Sequence, residues 1–257
     1  EKLFRVLRFE EAAEEVEVES GIVNRELQDF VESRGFFYPP DPASLNFSTI
    51  GGNIAENAGG PRAFKYGVTR RYVRALTWIT GEGEVVTSAA PRGATAALVG
   101  AEGTLGAIYS ARLRILPLPE AFRTSLLEMG SGAETLAFAG WLLKAGIEPS
   151  VLEYLDSRTM ACVAEYCCIG GLRRGANYLF VEIDGSVEGA GAAQRRLEEL
   201  AAGAGAAIRA ARGEGERELL WKVRRSVSPS LARRGVTKVN EDVSLPLGAL
   251  GEATRFT

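Results

Sequence analysis

The sequence predicts an α+β protein built in two parts, on three observations. Short apolar segments of strand character dominate the first half of the 257 residues, and two of them flank a tight glycine turn typical of a β-hairpin. Strand and helix patterns alternate through the second half, which favours a ferredoxin-like antiparallel sheet covered by helices. Pro117 and Pro119 separate the halves, so we place a domain boundary there, between residues 1–119 and 120–257.

The elements of the first half follow from short apolar patterns. Apolar residues recur every three or four positions over residues 23–33, which predicts a helix. We interpret its Asn24 and Gln28 as exposed. A solvated acidic face is expected from Glu14, Glu15, Glu17 and Glu19. Strands are predicted over residues 3–9, 15–18, 70–80, 84–87 and 107–116, and a loop over residues 91–97.

The second half is predicted to alternate strands with amphipathic helices. Its three cysteines, two of them adjacent, fit neither a disulfide framework nor a zinc pattern, so we expect reduced and mostly buried thiols at Cys162, Cys167 and Cys168. Strands are predicted over residues 123–129, 150–155, 178–184, 207–211 and 237–245, and helices over residues 133–145, 158–168, 187–203 and 216–234.

Residues 39–67 do not fit either pattern. The segment is too irregular for a helix and too rich in glycine and proline for a central strand. Long polar loops in compact domains are usually functional. Glycine pairs bracket Asn53 and Asn57, so the loop can offer N–H groups to a phosphate or line a flat aromatic ring. A glycine-rich surface turn is the alternative, because such loops are weak evidence for phosphate binding.

Three motifs add a family resemblance to this interpretation. They are STIGGNIAENAGGPRAFKYGVT at residues 48–69, VGAEGTLGAI at residues 99–108, and WKVRRSV at residues 221–227 followed by EDVSLP at residues 241–246. In this order they resemble the vanillyl-alcohol-oxidase (PCMH-type) FAD family, nearest to the glycolate oxidase flavin subunit and the D-lactate and D-2-hydroxyglutarate dehydrogenases. The resemblance implies the second portion of a PCMH-type FAD-binding domain, followed by a ferredoxin-like cap domain that is incomplete at its C-terminus.

The resemblance implies FAD as the cofactor, bound along the first domain. Short polar side chains and glycine N–H groups agree with this in kind. We expect the Glu102 carboxylate to accept hydrogen bonds from the N–H groups of Thr104 and Leu105, with a purely structural turn cap as the alternative. The implied cofactor-binding residues are Asp41, Ser44, Ser48, Thr49, Gly51, Gly52, Asn53, Ala55, Glu56, Asn57, Ala58, Glu102, Gly103, Thr104, Gly106 and Ile108.

A substrate site is implied by matching places in the cap. There the resemblance assigns Arg224, Ser228 and Lys238 to the carboxylate of a hydroxy acid. Arginine suits this role because its planar fork donates two parallel hydrogen bonds. The alternative is that Arg224 and Arg225 belong to a solvated helix face. We interpret Glu241 and Asp242, the paired carboxylates of the last motif, as structural, since adjacent strand residues point to opposite faces.

The chain contains no histidine, which removes the commonest general base and metal ligand. We therefore assign no catalytic residue and no metal site within it. The family's pyrophosphate loop and histidine-rich motif would lie upstream and downstream, so we expect the middle of a longer enzyme. The expected activity is FAD-dependent oxidation of a D-2-hydroxy acid such as glycolate or D-lactate. Another reaction of the same flavoenzyme family, such as an alkyl-dihydroxyacetonephosphate-type transferase, and a non-catalytic subunit or fragment are the alternatives.

Charge and hydropathy limit the classes of partner that we expect for this protein. The formal net charge of −3 argues against a general nucleic-acid binder, and no apolar run is long enough to span a membrane. We expect a small 2-hydroxy acid substrate, an electron acceptor (a partner subunit, a quinone or an electron-transfer protein), and a homodimer or hetero-oligomer. The expected location is the cytoplasm, with peripheral attachment to the inner membrane as a second option.

Overall fold

The computed structural model of the chain describes residues 3–89, 93–167 and 169–235. It divides into two compact units, Glu1–Pro119 and Glu120–Thr257, and each has its own apolar core. Both units mix helices with antiparallel sheet, which confirms the predicted α+β class. The predicted strand over residues 237–245 lies outside the described residues, and so do Cys168, Lys238 and the EDVSLP motif.

The first unit is organised around a five-stranded antiparallel sheet in the order β1-β2-β6-β4-β5. The predicted hairpin is confirmed: β4 and β5 pair antiparallel across the turn that contains Gly83. Apolar residues of α1 and the central strands form one core. The strands are β1 (Val6–Glu10), β2 (Glu15–Glu19), β3 (Phe36–Phe37), β4 (Val73–Ile79), β5 (Val85–Ala89), β6 (Ala107–Arg114) and β7 (Leu116–Pro117), and the helices are α1 (Asn24–Glu32), α2 (Ile50–Ala55), α3 (Ala63–Tyr66) and α4 (Ala94–Leu98).

Two predictions about loops in this unit are wrong. The glycine-rich segment contains α2, whose Ile50 and Ile54 are fully buried. Thr49 caps this helix, since its Oγ1 accepts the N–H of Gly52 at 3.2 Å. The helix α4 falls in the second predicted loop, where the Thr95 hydroxyl donates to the Ser88 carbonyl at 3.0 Å. In α2 tertiary contacts override the low helix propensity of glycine, whereas α4 consists mainly of alanine and leucine, which favour a helix.

The predicted acidic face is wrong at Glu19. Its side chain is fully buried, and the Arg5 guanidinium contacts it with Nη2 2.8 Å from Oε1. The backbone N–H of Arg5 donates to the second carboxylate oxygen at 2.8 Å. A buried carboxylate is tolerated only when such partners compensate for its lost hydration.

The second unit contains a four-stranded antiparallel sheet in the order β11-β8-β10-β9. With strands numbered along the unit, this order is 4-1-3-2, that of the predicted ferredoxin-like fold. Apolar residues of α5 and α7 pack on one face, and those of α6 and α8 on the other. The strands are β8 (Ala121–Met129), β9 (Val151–Leu155), β10 (Asn177–Gly185) and β11 (Ala207–Ala210), and the helices are α5 (Gly132–Lys144), α6 (Ser157–Cys167), α7 (Val187–Gly203), α8 (Glu214–Arg225) and α9 (Val227–Ala232).

The single helix predicted over residues 216–234 is wrong, because α8 ends at Arg225 and α9 begins at Val227. Pro229 explains the break. It has no N–H to donate to the carbonyl four residues earlier, but it is tolerated in the first turn of a new helix.

Two smaller predictions can be assessed within the described residues. Cys162 and Cys167 are buried free thiols, as expected. No helix in the described part of the chain has the length and apolar character needed to cross a membrane.

Candidate functional site

A cavity of about 300 Å³ opens in the first unit, between α2 and the turn before β6. Its volume lies at the lower end of the usual range for ligand pockets, about 300–1,000 Å³. Its wall consists mainly of glycine and alanine, so a flat ring can approach the backbone closely. Seven predicted cofactor residues line it: Thr49, Gly51, Gly52, Ala55, Gly103, Gly106 and Ile108. Five other residues line it: Ser20, Gly21, Leu98, Ala101 and Ala107.

The two glycines of α2 have different roles in this wall. A Cβ on Gly51 would lie 2.7 Å from the Cβ of Ser20, so only glycine allows the helix to approach Ser20, which follows β2, this closely. The Gly51 N–H donates to the Ser20 carbonyl at 2.7 Å and fixes this approach. A Cβ on Gly52 would meet only the Thr49 hydroxyl, at 3.3 Å. The absence of a side chain on Gly52 therefore leaves space in the cavity.

Buried amides of α1 hold the loop that leads into α2. Asn24 and Gln28 were interpreted as exposed, which is wrong: they are 0% and 1% exposed. The side chain of Asn24 donates to the Pro40 carbonyl at 3.1 Å, and that of Gln28 donates to the same oxygen at 3.0 Å. Asn53 donates to Asn24 Oδ1 at 3.0 Å, so its amide supports the loop from inside. These bonds satisfy backbone carbonyls that the irregular loop leaves unpaired.

Arg70 connects the two glycine-rich segments, although sequence reasoning did not select it. Its backbone N–H donates to Asn57 Oδ1 at 3.0 Å. Its guanidinium donates to the carbonyls of Ala96 (2.6 Å) and Val99. Asn57 has a φ of +50°, a left-handed conformation that asparagine tolerates better than most residues. The arginine thereby locks the turn after α2 to the turn after α4.

The predicted role of the Glu102 carboxylate is corrected by the structure. The N–H of Thr104 donates to the Ala101 carbonyl at 2.9 Å, and Glu102 is exposed. Instead the backbone of Glu102, at φ +52°, donates to the Ala55 carbonyl at 3.0 Å. The backbone of Glu102 therefore joins the turn before β6 to α2. This role is structural, as in the alternative given in the sequence analysis.

The other predicted cofactor residues are not among those that line the cavity. Asp41 is buried, and Oδ1 accepts the N–H of Arg62 at 3.2 Å. The Ser48 hydroxyl is buried without a hydrogen-bond partner among the described residues. Such an orphaned polar group at the entry to α2 is what a site completed by a ligand would contain. Ser44 and Glu56 are exposed, and Ala58 accepts the Thr69 hydroxyl at 2.6 Å through its carbonyl.

The predicted substrate arginine in the second unit is paired. Arg224 Nη2 donates to Glu153 Oε1 at 2.8 Å, and Nε contacts Oε2, so the guanidinium fork is bidentate. Both side chains are about a fifth exposed. Glu153 lies on β9, directly opposite Phe180 of β10. The arginine is thus oriented by a carboxylate fixed on the sheet.

A second carboxylate anchors the same helix. Glu182 of β10 is fully buried, and its Oε2 accepts Trp221 Nε1–H at 2.7 Å, the Thr124 hydroxyl at 2.8 Å and Arg217 Nε–H at 3.2 Å. Positions 217, 221 and 224 share one face of α8 because they are separated by four and three residues. Ser228, the other described substrate candidate, is exposed in α9.

Sequence reasoning missed Glu153 and Glu182 because each is a single glutamate in an apolar strand. The available signal was a charged residue at a position where burial is expected, which implies a buried partner. Among the described residues, no group of three histidine, cysteine, aspartate or glutamate side chains is arranged to bind a metal ion.

Two family models match the chain. A family model described as the FAD binding domain matches residues 1–89. A second, described as FAD linked oxidases, C-terminal domain, matches residues 118–257, which is more than half of the chain.

Curated relatives and a solved structure extend the comparison. Glycolate oxidase subunit GlcD of Bacillus subtilis is 34% identical over 256 residues, covering 94% of this chain and 53% of the relative. Mitochondrial D-2-hydroxyglutarate dehydrogenase of Bos taurus is 30% identical over 259 residues, covering 96% of this chain and 47% of the relative. The chain spans about half the length of these relatives. A structure of alkyldihydroxyacetonephosphate synthase has a TM-score of 0.75 at 18% identity, covering 91% of this chain and 48% of that one, and it bears on the fold alone.

Proposed function

The chain belongs to the FAD-linked oxidase family, and from that premise we propose that it belongs to an enzyme that oxidises a D-2-hydroxy acid to the 2-oxo acid. Glycolate and D-lactate are the candidate substrates. In this reaction C2 of the substrate loses a hydride and its hydroxyl group loses a proton. Bound FAD supplies the hydride acceptor, and the chain's own residues hold and orient the reactants.

FAD is the cofactor of this family, which confirms the cofactor expected from the motifs. The glycine-walled cavity is the observation that carries the proposal for this chain. A cavity of about 300 Å³ accommodates part of a molecule as large as FAD. The absence of side chains on its glycines leaves room for a flat ring. We propose that Gly52, Ala55, Gly103 and Ile108 contact the cofactor directly.

We propose Arg224 as the ligand of the substrate carboxylate, with Ser228 and Lys238 as further polar contacts. Its fork is already oriented by Glu153 through Nε and Nη2. A guanidinium has five N–H donors in a planar fork, which matches the two oxygens of a carboxylate. An arginine fixed beforehand in this way loses less side-chain entropy when it binds a ligand.

The remaining assignments concern partners and location. We propose that electrons leave to a partner subunit, a quinone or an electron-transfer protein, and that the enzyme acts in the cytoplasm, with attachment at the inner membrane as the second option. The word subunit in the name of the relative GlcD supports a multi-subunit assembly. A homodimer is the simpler alternative.

A flavin titration of the complete protein tests the proposal. We expect FAD to remain with the protein through gel filtration and to bleach on anaerobic addition of glycolate or D-lactate. Arg224→Ala should lower kcat/KM by about 1.5–3 kcal/mol, roughly 10- to 150-fold, because the buried substrate carboxylate loses a charge-assisted partner. The spectrum of bound FAD should stay unchanged in this variant.

Two results would count against the proposal. A protein that retains FAD but is bleached by neither acid would favour another reaction of the family. A protein that does not bind FAD would favour a non-catalytic role. Arg224→Lys is the matched variant, because it keeps the charge but loses the fork, and it should recover only part of the activity.

A further inference from the structure

The cavity of the first unit is formed by segments that are far apart in the sequence. Part of its wall comes from α2, and another part comes from the turn between α4 and β6. Backbone hydrogen bonds join these two segments. The N–H of Gly100 donates to the Ile54 carbonyl at 3.0 Å. The N–H of Glu102 donates to the Ala55 carbonyl at 3.0 Å. The separation of the two walls therefore depends on how the turn after α4 is held.

The bond from Gly100 to α2 deprives α4 of one of its own. In a helix that continued past Val99, the N–H of Gly100 would donate to the carbonyl of Ala96. It donates to α2 instead, so the Ala96 carbonyl needs another donor. The Arg70 guanidinium supplies it, because Nη1 donates to Ala96 at 2.6 Å and Nη2 donates to the Val99 carbonyl. A cation at the C-terminal end of a helix is favourable, since the carbonyl groups there carry partial negative charge.

Arg70 is also tied to the end of α2. Its backbone N–H donates at 3.0 Å to Oδ1 of Asn57, which lies two residues after the helix ends. A Cβ on Gly100 would lie 3.4 Å from both Nη2 of Arg70 and Cβ of Asn57, so the three residues are closely packed. The residues that line the cavity include neither Arg70 nor Asn57. The contacts of this arginine thus support the wall from outside the cavity.

We propose that Arg70 is a positioning residue for the cofactor, because it holds the turn after α4 against the end of α2 and so fixes the separation of the cavity walls. This inference rests on the proposed function, since it takes the cavity as a surface that contacts FAD. Arg70 acts through Leu98 and Ala101, which line the cavity on either side of its acceptor Val99. Without the arginine, water must satisfy the two carbonyls, and the turn loses its fixed distance from α2.

Arg70→Ala in the complete protein tests this inference. We expect the dissociation constant of FAD, measured by equilibrium dialysis, to rise about tenfold, because two charge-assisted hydrogen bonds that hold the wall are lost. The visible spectrum of the flavin that remains bound should shift, since the ring no longer meets a wall at a fixed distance. Arg70→Lys keeps the charge but lacks the planar fork, so its FAD affinity should lie between those of wild type and Arg70→Ala.

Added guanidinium ions distinguish the loss of these bonds from general damage to the protein. Arg70 is exposed, so a small ion from solvent can reach the two carbonyls in Arg70→Ala. Ethylguanidinium should restore most of the FAD affinity and the wild-type spectrum of the bound flavin. Ethylammonium carries the same charge without the planar fork and should restore much less.

Arg74→Ala is the matched control. It removes an exposed arginine of the same unit, whose Nε lies 3.7 Å from Oε1 of Glu15 on the sheet, and it should leave FAD binding unchanged. The inference is overturned if Arg70→Ala keeps the wild-type FAD affinity, if Arg74→Ala weakens binding equally, or if ethylguanidinium restores no more affinity than ethylammonium. Should Arg70→Ala not fold, Arg70→Lys provides the test, and a wild-type FAD affinity in that variant would overturn the inference.

Failure of this inference can be told apart from failure of the proposed function. If glycolate or D-lactate bleaches the wild-type protein and Arg70→Ala keeps its FAD affinity, only the inference is overturned. If the wild-type protein binds FAD but neither acid bleaches it, the proposed reaction is overturned, and the dialysis still decides the inference. If the wild-type protein does not bind FAD, both are overturned.

Discussion

The two candidate sites of this chain are built in different ways. The cavity of the first unit is walled mainly by glycine and alanine, and hydrogen bonds to backbone groups hold the segments around it together. The α8 region of the second unit is built from charged side chains, with Glu182 and Glu153 each binding donors of the helix. A wall of backbone gives close approach to a flat ligand, whereas oriented charges select an anion. The first site should therefore be sensitive to added atoms, and the second to removed charges.

The largest effect is expected from removing the buried charge of the second unit. Glu182→Ala leaves the donors of Arg217, Trp221 and Thr124 without their common acceptor. Breaking one side of a buried ion pair costs about 3–5 kcal/mol. We expect a loss of that size in the free energy of unfolding, measured by urea denaturation with tryptophan fluorescence.

Two further variants show whether the loss of stability comes from the buried charge. Glu182→Gln keeps an acceptor for Trp221 and Thr124 and should lose less stability than the alanine variant. Glu199→Ala removes an exposed partner of Arg196 on α7, and its effect should stay within about 0.5 kcal/mol. If Glu182→Ala behaved like Glu199→Ala, the buried charge would not be holding α8, and the contrast between the two sites would be lost.

A smaller loss of stability is expected in the first unit, and it should occur at only one of two neighbouring glycines. Gly51→Ala would place a Cβ 2.7 Å from the Cβ of Ser20, so we expect a loss of about 1–3 kcal/mol instead of the usual gain of ~1 kcal/mol for glycine to alanine in a helix. Gly52→Ala meets only the Thr49 hydroxyl, and its unfolding free energy should stay within about 0.5 kcal/mol of wild type. The added methyl group should nevertheless weaken FAD binding, as measured by equilibrium dialysis.

The adjacent glycine is the control in this experiment, because both variants add one methyl group to the same short helix. The informative outcome is that Gly51→Ala lowers the free energy of unfolding, whereas Gly52→Ala lowers only the affinity for FAD. If Gly52→Ala bound FAD as tightly as wild type, the cavity wall would not be a cofactor surface, and the cavity would have to be assigned a structural role.

The strands were largely predictable from the sequence, because their alternating apolar residues also form the cores. The alternation in the second half was sufficient for the ferredoxin-like order, since only a few sheet orders suit that pattern. The helix α2 was not predictable from IGGNIA, because its stability comes from burial of Ile50 and Ile54 and from the Thr49 cap. Local propensity contains no information on such long-range contacts.

The candidate site was predictable where the motif residues supply backbone and unpredictable where distant side chains meet. Seven of the residues implied by the resemblance line the cavity. Arg70 was missed because its acceptors, Ala96 and Val99, lie 26 and 29 residues away and are carbonyl groups with no side-chain signature. Glu153 lies 71 residues from Arg224, and only the fold of the sheet brings them together.

The smallest effect concerns Glu19, a buried carboxylate next to Ser20 at the edge of the first cavity. The hydrogen bond from the Arg5 side chain holds the pKa of Glu19 below its ordinary range, and its attraction to Arg5 adds to this. A lowered pKa in the folded state means that the stabilisation is fully present above the ordinary value, about 4.3, and is lost as the pH falls through the lower folded value. Arg5→Ala should therefore reduce the urea midpoint at pH 7 and have a smaller effect at pH 3.

The effect of Arg5→Ala should be limited, because the backbone N–H of residue 5 still donates to Glu19 in the variant. Arg195→Ala removes an exposed arginine of α7 and controls for net charge. If Arg5→Ala lowered the midpoint equally at both pH values, the arginine would act through packing of its stem rather than through the charge of Glu19. The charge of Glu19 would then contribute nothing to the first site, and the contrast with the charge-built α8 region would be sharper.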